Sequence, residues 1–374
     1  MGIYVHIPFC KSKCYYCGFY SVASETLKSD FTNALINEIK LRKNYLEGEI
    51  HKTLYFGGGT PSYMDTRELS LIIKVIEDNF NISSDAERTI ECNPDDLSEE
   101  KLQGLKALGF NRISMGAQTF HDELLKKINR RHTSIQAINA INMAKKVGFD
   151  NISVDLMMGL PDYSTTILNE DLDIIATLPI THLSIYLLSI DEGTVFFKLK
   201  RDGKLNLPDE DEFAEYYKIA SKYLSKLGFE HYEISNFAKD GKYSLHNTSY
   251  WEHISYIGLG PSAHSFNLKS RSWNVSNIKR YIENVKLGKP EFEEEILSRK
   301  DKYDEYIMTS LRTMWGANTN FLKTEFPEYW NVAKIVVQNY IKSGDMLGEN
   351  EFVRLSEQGW LISDMIFRDL FADE

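Results

Sequence analysis

The sequence has few cysteines and no long apolar run, and each shortage excludes a class of protein. Only four of its 374 residues are cysteine, which is too few for a disulfide framework and is typical of a reducing compartment. No run approaches the roughly 18 consecutive apolar residues that a membrane-spanning helix needs. The first residues have neither the basic region nor the cleavage site of a secretory signal peptide. We therefore expect a cytoplasmic protein without an integral membrane segment.

Positive charge is also in short supply. The chain has 43 Lys and Arg against 54 Asp and Glu, a formal net charge of −11. Binding to nucleic acid depends on clustered basic residues that displace phosphate counterions, so we expect no nucleic-acid partner. With 43% hydrophobic and 12% aromatic residues, the chain can nevertheless bury a core large enough for one large domain and a small one.

What the sequence does contain is a concentration of thiols near its start, Cys10, Cys14 and Cys17 in CKSKCYYC. An iron–sulfur cubane is normally held by four thiolates, so three from one loop leave one iron open to another ligand. A structural zinc site is the alternative, but zinc needs four ligands, and no second CxxC or HxxxH pair is present. The remaining cysteine, Cys92, lies in the apolar stretch TIEC, and we interpret it as a core residue.

Short β-rich runs alternate with amphipathic helical stretches in the first part of the chain. Crossover helices of this kind cover a parallel sheet, and the candidate motifs follow the C-terminal ends of the runs, which form the catalytic face of parallel βα folds. We therefore predict an α/β fold, a partial (β/α)6 barrel of the TIM type. The six predicted strands are 3–7, 53–56, 89–92, 112–115, 152–157 and 182–188.

The pattern changes after the sixth predicted strand. A helix predicted over 209–228 is followed by an irregular, aromatic and histidine-rich segment, 229–275, that we expect to close the open side of the barrel. From about residue 296, two helices, two short strands and a further helix over 357–371 are typical of a small winged-helix-like domain, which we interpret as a lid or partner-docking unit. The predicted domains are 1–230 for the barrel, 231–295 for the closing segment and 296–374 for the C-terminal domain.

Six motifs together resemble the radical S-adenosylmethionine (SAM) superfamily, in which the open iron of a three-cysteine cluster chelates SAM. They are YVHIPFCKSKCYYC, GGGTP, ECNPDD, SMGAQ, VDLMMGLP and HNTSYW, in the order seen in the oxygen-independent coproporphyrinogen III oxidase-like family. The resemblance covers nearly the whole chain. It implies a [4Fe-4S] cluster, an external electron donor that reduces it, and cleavage of SAM to methionine and a 5′-deoxyadenosyl radical, chemistry that the cofactors carry.

The resemblance also implies roles for individual residues. Cys10, Cys14 and Cys17 would bind the cluster. SAM would contact Gly58, Gly59, Thr60, Glu91, Gln118, Arg130 and Asp155, while Tyr4 and Tyr16 match positions beside the cluster and the adenine. Other interpretations stay open: a plain strand-to-helix turn for the glycines, an internal acid–arginine pair for the two carboxylates, and core packing for the tyrosines. Met158 departs from the family pattern, which usually has an aromatic residue there.

Two features distinguish the branches of this family. Phe19 stands where the oxidases have a fourth cysteine, and HNTSYW (246–251) resembles the HNxxYW signature of the haem-chaperone branch, HemW. The resemblance therefore implies a protein that binds haem and transfers it to an acceptor protein, with no residue in a catalytic role. The alternative is a radical SAM enzyme that acts on a tetrapyrrole, with coproporphyrinogen decarboxylation as its leading version.

His246 is the candidate ligand of the haem iron. Neutral imidazole is a common axial donor, and Tyr250 and Trp251 would flank a macrocycle. The alternative is a hydrogen-bonded structural histidine in the core, with His231, His264 and cysteine residues as rival ligands.

Overall fold

The computed structural model describes residues 1–46 and 48–372, and most of its strands belong to one large sheet. The strands of this sheet are β1 (Gly2–Ile7), β2 (His51–Gly58), β3 (Ile82–Cys92), β4 (Arg112–Gln118), β5 (Asn151–Met158), β6 (His182–Leu187), β7 (Glu230–Glu233), β8 (Asn236–Ala238), β9 (Tyr256–Leu259), β10 (His264–Phe266), β11 (Ser270–Asn274) and β12 (Phe292–Ile296). Their order across the sheet is β12-β11-β10-β9-β1-β2-β3-β4-β5-β6-β8-β7.

The centre of the sheet confirms the predicted partial barrel. Strands β1 to β6 lie side by side in chain order, and each pairs in parallel with the next. All six predicted strands are present, and each observed strand overlaps its predicted range. The helices that connect or follow them are α1 (Lys28–Arg42), α2 (Thr66–Asn79), α3 (Glu99–Ala107), α4 (Asp122–Lys127), α5 (Ser134–Val147), α6 (Thr165–Thr177), α7 (Val195–Arg201) and α8 (Glu210–Lys226).

Helix α2 shows how the local sequence produces these elements. Asp65 and Glu68 form a capping box at its start, which satisfies backbone N–H groups that have no partner within the helix. The apolar residues then recur at helical spacing, and Leu69, Ile72 and Ile76 are fully buried against the sheet. No helix in the described part of the chain is long and apolar enough to cross a membrane.

The segment 229–275 is not irregular, which corrects the prediction. It contains β7 to β11 and helix α9 (Leu245–Trp251), and α10 (Ile278–Lys286) follows. These strands are only three to five residues long, too short for an alternating pattern to stand out in the sequence. Strands β7 and β8 extend the sheet beyond β6, whereas β9 pairs in parallel with β1 on the other side. Helix α9 lies against β2 near the N-terminal ends of the central strands.

The C-terminal part forms a smaller unit around a three-stranded antiparallel sheet. Its elements are α11 (Arg299–Leu311), β13 (Ala317–Asn318), α12 (Thr319–Glu325), α13 (Pro327–Ser343), β14 (Met346–Glu349), β15 (Phe352–Leu355), α14 (Glu357–Leu361) and α15 (Ser363–Leu370). The single final helix that the sequence predicts is in fact two helices, because Ile362 leaves the helical conformation. The predicted domain boundaries at 230 and 295 stay a prediction.

Candidate functional site

One cavity, which we call the cluster cavity, gathers most of the predicted site residues at the C-terminal ends of the central strands. It has a volume of about 410 Å³. The predicted residues that line it are Cys10, Cys14, Tyr16, Cys17, Gly58, Gly59, Thr60, Glu91, Gln118, Arg130 and Asp155. Parallel strands bring their carboxyl ends to one edge, so motifs far apart in the chain meet here.

The cluster loop, residues 10–17, places its sulfurs beside hydrogen-bond donors. The Thr60 hydroxyl donates to Cys10 Sγ at 3.5 Å, and Arg130 Nη1 donates to Cys14 Sγ at 3.6 Å. Donors and positive charge of this kind favour the thiolate, which is the form of cysteine that binds metal. Burial outweighs them at Cys10, whose pKa is raised, so a bound metal would still be needed to hold its thiolate.

The three cysteines fit an iron–sulfur cluster. They are free and half-buried, and burial raises the pKa of Cys17 to about 11, so a bound metal is needed to hold its thiolate at neutral pH. Among residues 1–46 and 48–372, no three His, Cys, Asp or Glu side chains stand close enough together for a single metal ion. A cubane spreads its cysteines over several iron atoms, so its ligands need not converge on one point.

The glycines after β2 shape the cavity wall by close packing. A Cβ on Gly58, whose φ is 109°, would lie 2.6 Å from the His6 ring, and one on Gly59 would lie 2.9 Å from the Ile7 carbonyl oxygen. Their N–H groups already donate, to the Glu91 carboxylate at 3.1 Å and to the Ile7 carbonyl at 2.8 Å. The close turn that the sequence left as an alternative is thus present, at the wall of the cluster cavity.

Two carboxylates, Glu91 and Asp155, face the cluster cavity. Glu91 accepts hydrogen bonds from the Tyr55 hydroxyl at 2.7 Å and from Gly58 N, and Asp155 accepts one from the Ser114 hydroxyl at 3.3 Å. Burial raises the pKa of Glu91 to about 7, and the charge of Asp155 adds to the shift; burial also raises the pKa of Asp155. A cationic ligand would stabilise the ionised form of both groups.

Two arginines near the cluster cavity, Arg112 and Arg130, contact groups other than its two carboxylates. Arg112, 1% exposed, lies 3.9 Å from the carboxylate of Glu87. Arg130 donates to the Asn93 side-chain oxygen and to the Gly116 carbonyl. Within the described ranges neither arginine forms a close ion pair with the two cavity carboxylates, although the charge of Arg112 acts on both and partly offsets the effect of burial on their pKa.

Gln118 has a strained backbone at the end of β4. Its φ is 70°, in the left-handed region that a non-glycine residue seldom adopts, and the β4–β5 register shifts between Gly116 and Gln118. Such outliers persist where the surrounding structure enforces them, and they cluster at functional sites. The bulge places the Gln118 side chain at the cavity, where the sequence predicts a SAM contact.

Sequence reasoning missed several residues that belong to this site. Asn93, Ser114 and Tyr186 line the cluster cavity, and the Tyr55 hydroxyl donates a hydrogen bond to Glu91. All but Asn93 lie on strands that the sequence predicts, and Asn93 follows one directly. A search of every strand end for polar or aromatic residues would have found Asn93, Ser114 and Tyr186.

Tyr4 and His246 do not line the cluster cavity and lie together inside the barrel. His246 is 1% exposed, with Nδ1 2.7 Å from the Thr53 hydroxyl and Nε2 2.7 Å from the Tyr250 hydroxyl. Its ring stacks on Tyr55 at 4.9 Å and on Tyr4 at 6.3 Å. Burial lowers the pKa of His246 to about 3, so the ring is neutral. Both ring nitrogens are engaged, which is the geometry of the structural alternative.

The rival histidines are also engaged or lie apart. His231 contacts the Ser221 hydroxyl through Nδ1 and the Tyr217 hydroxyl through Nε2, both at 3.2 Å. His264 is exposed and stacks on Trp273 at 5.9 Å.

Comparison with known proteins gives relatives along the whole chain. The family model "Radical SAM superfamily" matches residues 4–175. The haem chaperone HemW of Bacillus subtilis (strain 168) is 35% identical over 373 residues, which cover 97% of this chain and 97% of that protein. HemW of Lactococcus lactis subsp. lactis (strain IL1403) is 32% identical, and the match covers 99% of this chain and 97% of that protein.

A solved structure shares the fold. Coproporphyrinogen III oxidase (HemN) from Escherichia coli, described as a radical SAM enzyme, matches with a TM-score of 0.87 over 99% of this chain and 90% of that chain. The two sequences are 24% identical, so this likeness concerns the fold alone.

Proposed function

Because the chain belongs to the family of the haem chaperone HemW, within the radical SAM superfamily, we propose that it binds haem and transfers it to acceptor proteins. The observation that carries this proposal is the match to HemW proteins, 32% and 35% identical over 373 residues. Membership of the superfamily implies an iron–sulfur cluster and SAM as cofactors. We place the protein in the cytoplasm, as its few cysteines suggest.

We assign the cluster to Cys10, Cys14 and Cys17, whose loop opens into the cluster cavity. When bound, the cluster and SAM supply one-electron radical chemistry. The chain's part is to hold the cluster at one edge of the sheet, with Thr60 and Arg130 donating to two of the sulfurs.

SAM carries a sulfonium and an ammonium group, and we assign their recognition to Glu91 and Asp155. Burial raises the pKa of both carboxylates, and a cation bound beside them would stabilise their ionised form. Gln118, Gly58 and Gly59 line the same cavity and would set the position of the ligand.

The leading alternative is decarboxylation of coproporphyrinogen. Its support is the fold shared with HemN, which does not determine the reaction. Against it, Phe19 occupies the place of the oxidases' fourth cysteine, lines the cluster cavity and is 71% exposed. The C-terminal unit, 296–374, we propose as the part that docks the acceptor.

A titration of anaerobically reconstituted protein with haem, followed at the Soret band, tests the proposal. We expect saturation at one haem per chain and, on mixing the loaded protein with apomyoglobin, transfer of the haem to that acceptor. Protein without specific haem binding would overturn the proposal. Anaerobic loss of propionate carboxylates from coproporphyrinogen, measured in parallel, would favour the oxidase alternative.

A further inference from the structure

A second cavity, which we call the aromatic groove, lies between the end of α9, β10 and the C-terminal unit. Its volume is about 570 Å³, larger than that of the cluster cavity and within the range of small-molecule sites, roughly 300–1,000 Å³. Six aromatic side chains line it: Trp251, Phe266, Tyr306, Trp315, Phe321 and Phe326. A site of this composition suits a flat, largely apolar ligand.

Part of this aromatic surface is open to water. Trp315 is 37% exposed, Phe321 is 42% exposed and Leu268, at the same rim, is 51% exposed. Large apolar side chains gathered around an open concave surface mark a binding site more often than an ordinary surface. An open side also suits a ligand that must be handed on to another protein.

His253 brings an imidazole into the aromatic groove. Its Nε2 lies 2.6 Å from the Thr309 hydroxyl, and its ring stacks on Tyr306 at 5.7 Å. These contacts and a hydrogen bond to the Glu305 backbone fix the ring, and Nδ1 is the nitrogen that Thr309 does not contact.

The charges around the aromatic groove are arranged unevenly. Lys302 lines it and forms no ion pair within 1–46 and 48–372, whereas Glu305 is held by Arg271 at 2.6 Å. The other carboxylates, Glu252 and Glu325, lie at the rim. A ligand with carboxylate groups would therefore be oriented with these groups toward Lys302.

We infer that the aromatic groove is the haem site, with His253 as the iron ligand and Lys302 as the partner of a propionate, an inference that rests on the proposed function. The cluster cavity has the smaller volume and is already assigned to the cluster and SAM. A macrocycle in the groove lies among aromatic rings and within reach of one neutral imidazole. Haem binding and cluster chemistry then occupy separate sites.

The inference gives the HNTSYW motif a physical role. Its last residue, Trp251, lines the aromatic groove, and its first, His246, anchors the same helix inside the barrel. Contacts continue from His246 to Tyr250 at 2.7 Å between Nε2 and the hydroxyl, and from Tyr250 to Tyr256 at 4.6 Å between ring centres. His246 is therefore a positioning residue, and the iron ligand is seven residues further along the chain.

Haem titrations of single variants of the full chain test this assignment. We expect His253→Ala to shift the Soret band and to weaken haem affinity by about tenfold or more, with the spectrum restored by added imidazole. Trp315→Ala, at a partly exposed site, should weaken affinity by about tenfold without changing the ligation spectrum. The matched control is His264→Ala, an exposed histidine outside the groove, which should bind as the wild type does.

The outcomes separate the two claims. Wild-type protein that fails to bind haem contradicts the proposed function itself. Wild-type protein that binds haem, while His253→Ala and Trp315→Ala keep its affinity and spectrum, overturns the assignment of the groove alone. Thermal unfolding of each variant, compared with that of His264→Ala, identifies any loss of binding that comes from misfolding.

Discussion

The cluster cavity and the aromatic groove differ in the chemical character of the residues that line them. Thiols, carboxylates, hydroxyls and glycines line much of the cluster cavity, at the C-terminal ends of parallel strands. Six aromatic side chains line the groove, at the contact between α9, β10 and the C-terminal unit. The first surface suits charged and metal-containing cofactors, and the second suits a flat apolar ligand. The difference indicates that cofactor and proposed cargo are held apart.

Helix α9 is the structural connection between the two regions. His246 at its start stacks on Tyr55, which donates to Glu91 of the cluster cavity, whereas Trp251 at its end lines the groove. Changes to either cavity should therefore have separable effects, while changes to His246 should affect the framework between them. The following experiments test that comparison.

Loss of one cluster ligand should give the largest difference between the two regions, with a strong effect on the cluster and almost none on the groove. In Cys14→Ser we expect iron and sulfide after anaerobic reconstitution to fall from about four each per chain to a small fraction. Haem affinity should stay within about twofold of the wild type, because the groove shares no lining residue with the cluster loop. Cys92→Ser, at the remaining cysteine, should retain its iron; full iron in Cys14→Ser would contradict the assignment of the ligand.

Removing the charge of Glu91 should change SAM binding. Since the pKa of Glu91 is raised to about 7 and the ionised carboxylate attracts a cation, wild-type SAM affinity should increase as pH rises through about 7. In Glu91→Gln the affinity should be about tenfold weaker above that pH, and its pH dependence should flatten. Calorimetric titration of reconstituted protein measures both, and an unchanged pH profile would exclude Glu91 as the titrating group.

The raised pKa of Glu91 predicts the opposite pH dependence for the stability of the protein without SAM. A raised carboxylate pKa stabilises the fold below the ordinary value of 4.5, and this contribution is lost as pH rises through about 7. Thermal unfolding of the wild type should therefore show a loss over that range that Glu91→Gln lacks.

A change at His246 should affect stability more than haem ligation. His246→Phe leaves the buried Thr53 and Tyr250 hydroxyls without their partner, so we expect the free energy of unfolding to fall by about 2–4 kcal/mol. Urea unfolding measures this loss, with His264→Phe as the exposed control. The ligation spectrum of bound haem should be retained; its loss in a folded variant would restore His246 as the ligand.

The smallest effect is expected at Phe19. This side chain is 71% exposed, so Phe19→Cys should change stability by no more than about 0.5 kcal/mol and leave the iron content unchanged. We expect no propionate loss from coproporphyrinogen, since one added thiol does not rebuild an oxidase site. Measurable turnover would show that this position alone separates the branches.

Much of the fold and of the cluster cavity is predictable because the signals are local. Cysteine spacing within one short loop indicates a cluster, and the alternation of β-rich and helical runs indicates a parallel sheet. Glu91 and Asp155 lie in the C-terminal halves of predicted strands, and a parallel sheet brings such ends to one edge. Their prediction as neighbours needed no knowledge of side-chain contacts.

The rest depends on contacts between distant segments. The short strands of 229–275 pair with strands at both sides of the central sheet, and their own sequences are too brief to show a period. Each aromatic residue of the groove looks like an ordinary core residue when taken alone. Only the docking of the C-terminal unit on α9 and β10 gathers these residues around one cavity.

The sequence by itself determined that three cysteines of one loop can hold a metal centre and that a parallel barrel carries this loop, because loop spacing and periodicity act over a few residues. The tertiary structure alone decided how each histidine is held. His246 is buried and engaged by Thr53, 193 positions away, whereas His253 contacts Thr309 and lines the aromatic groove. These environments depend on hydrogen-bond partners that come together only when the chain is folded.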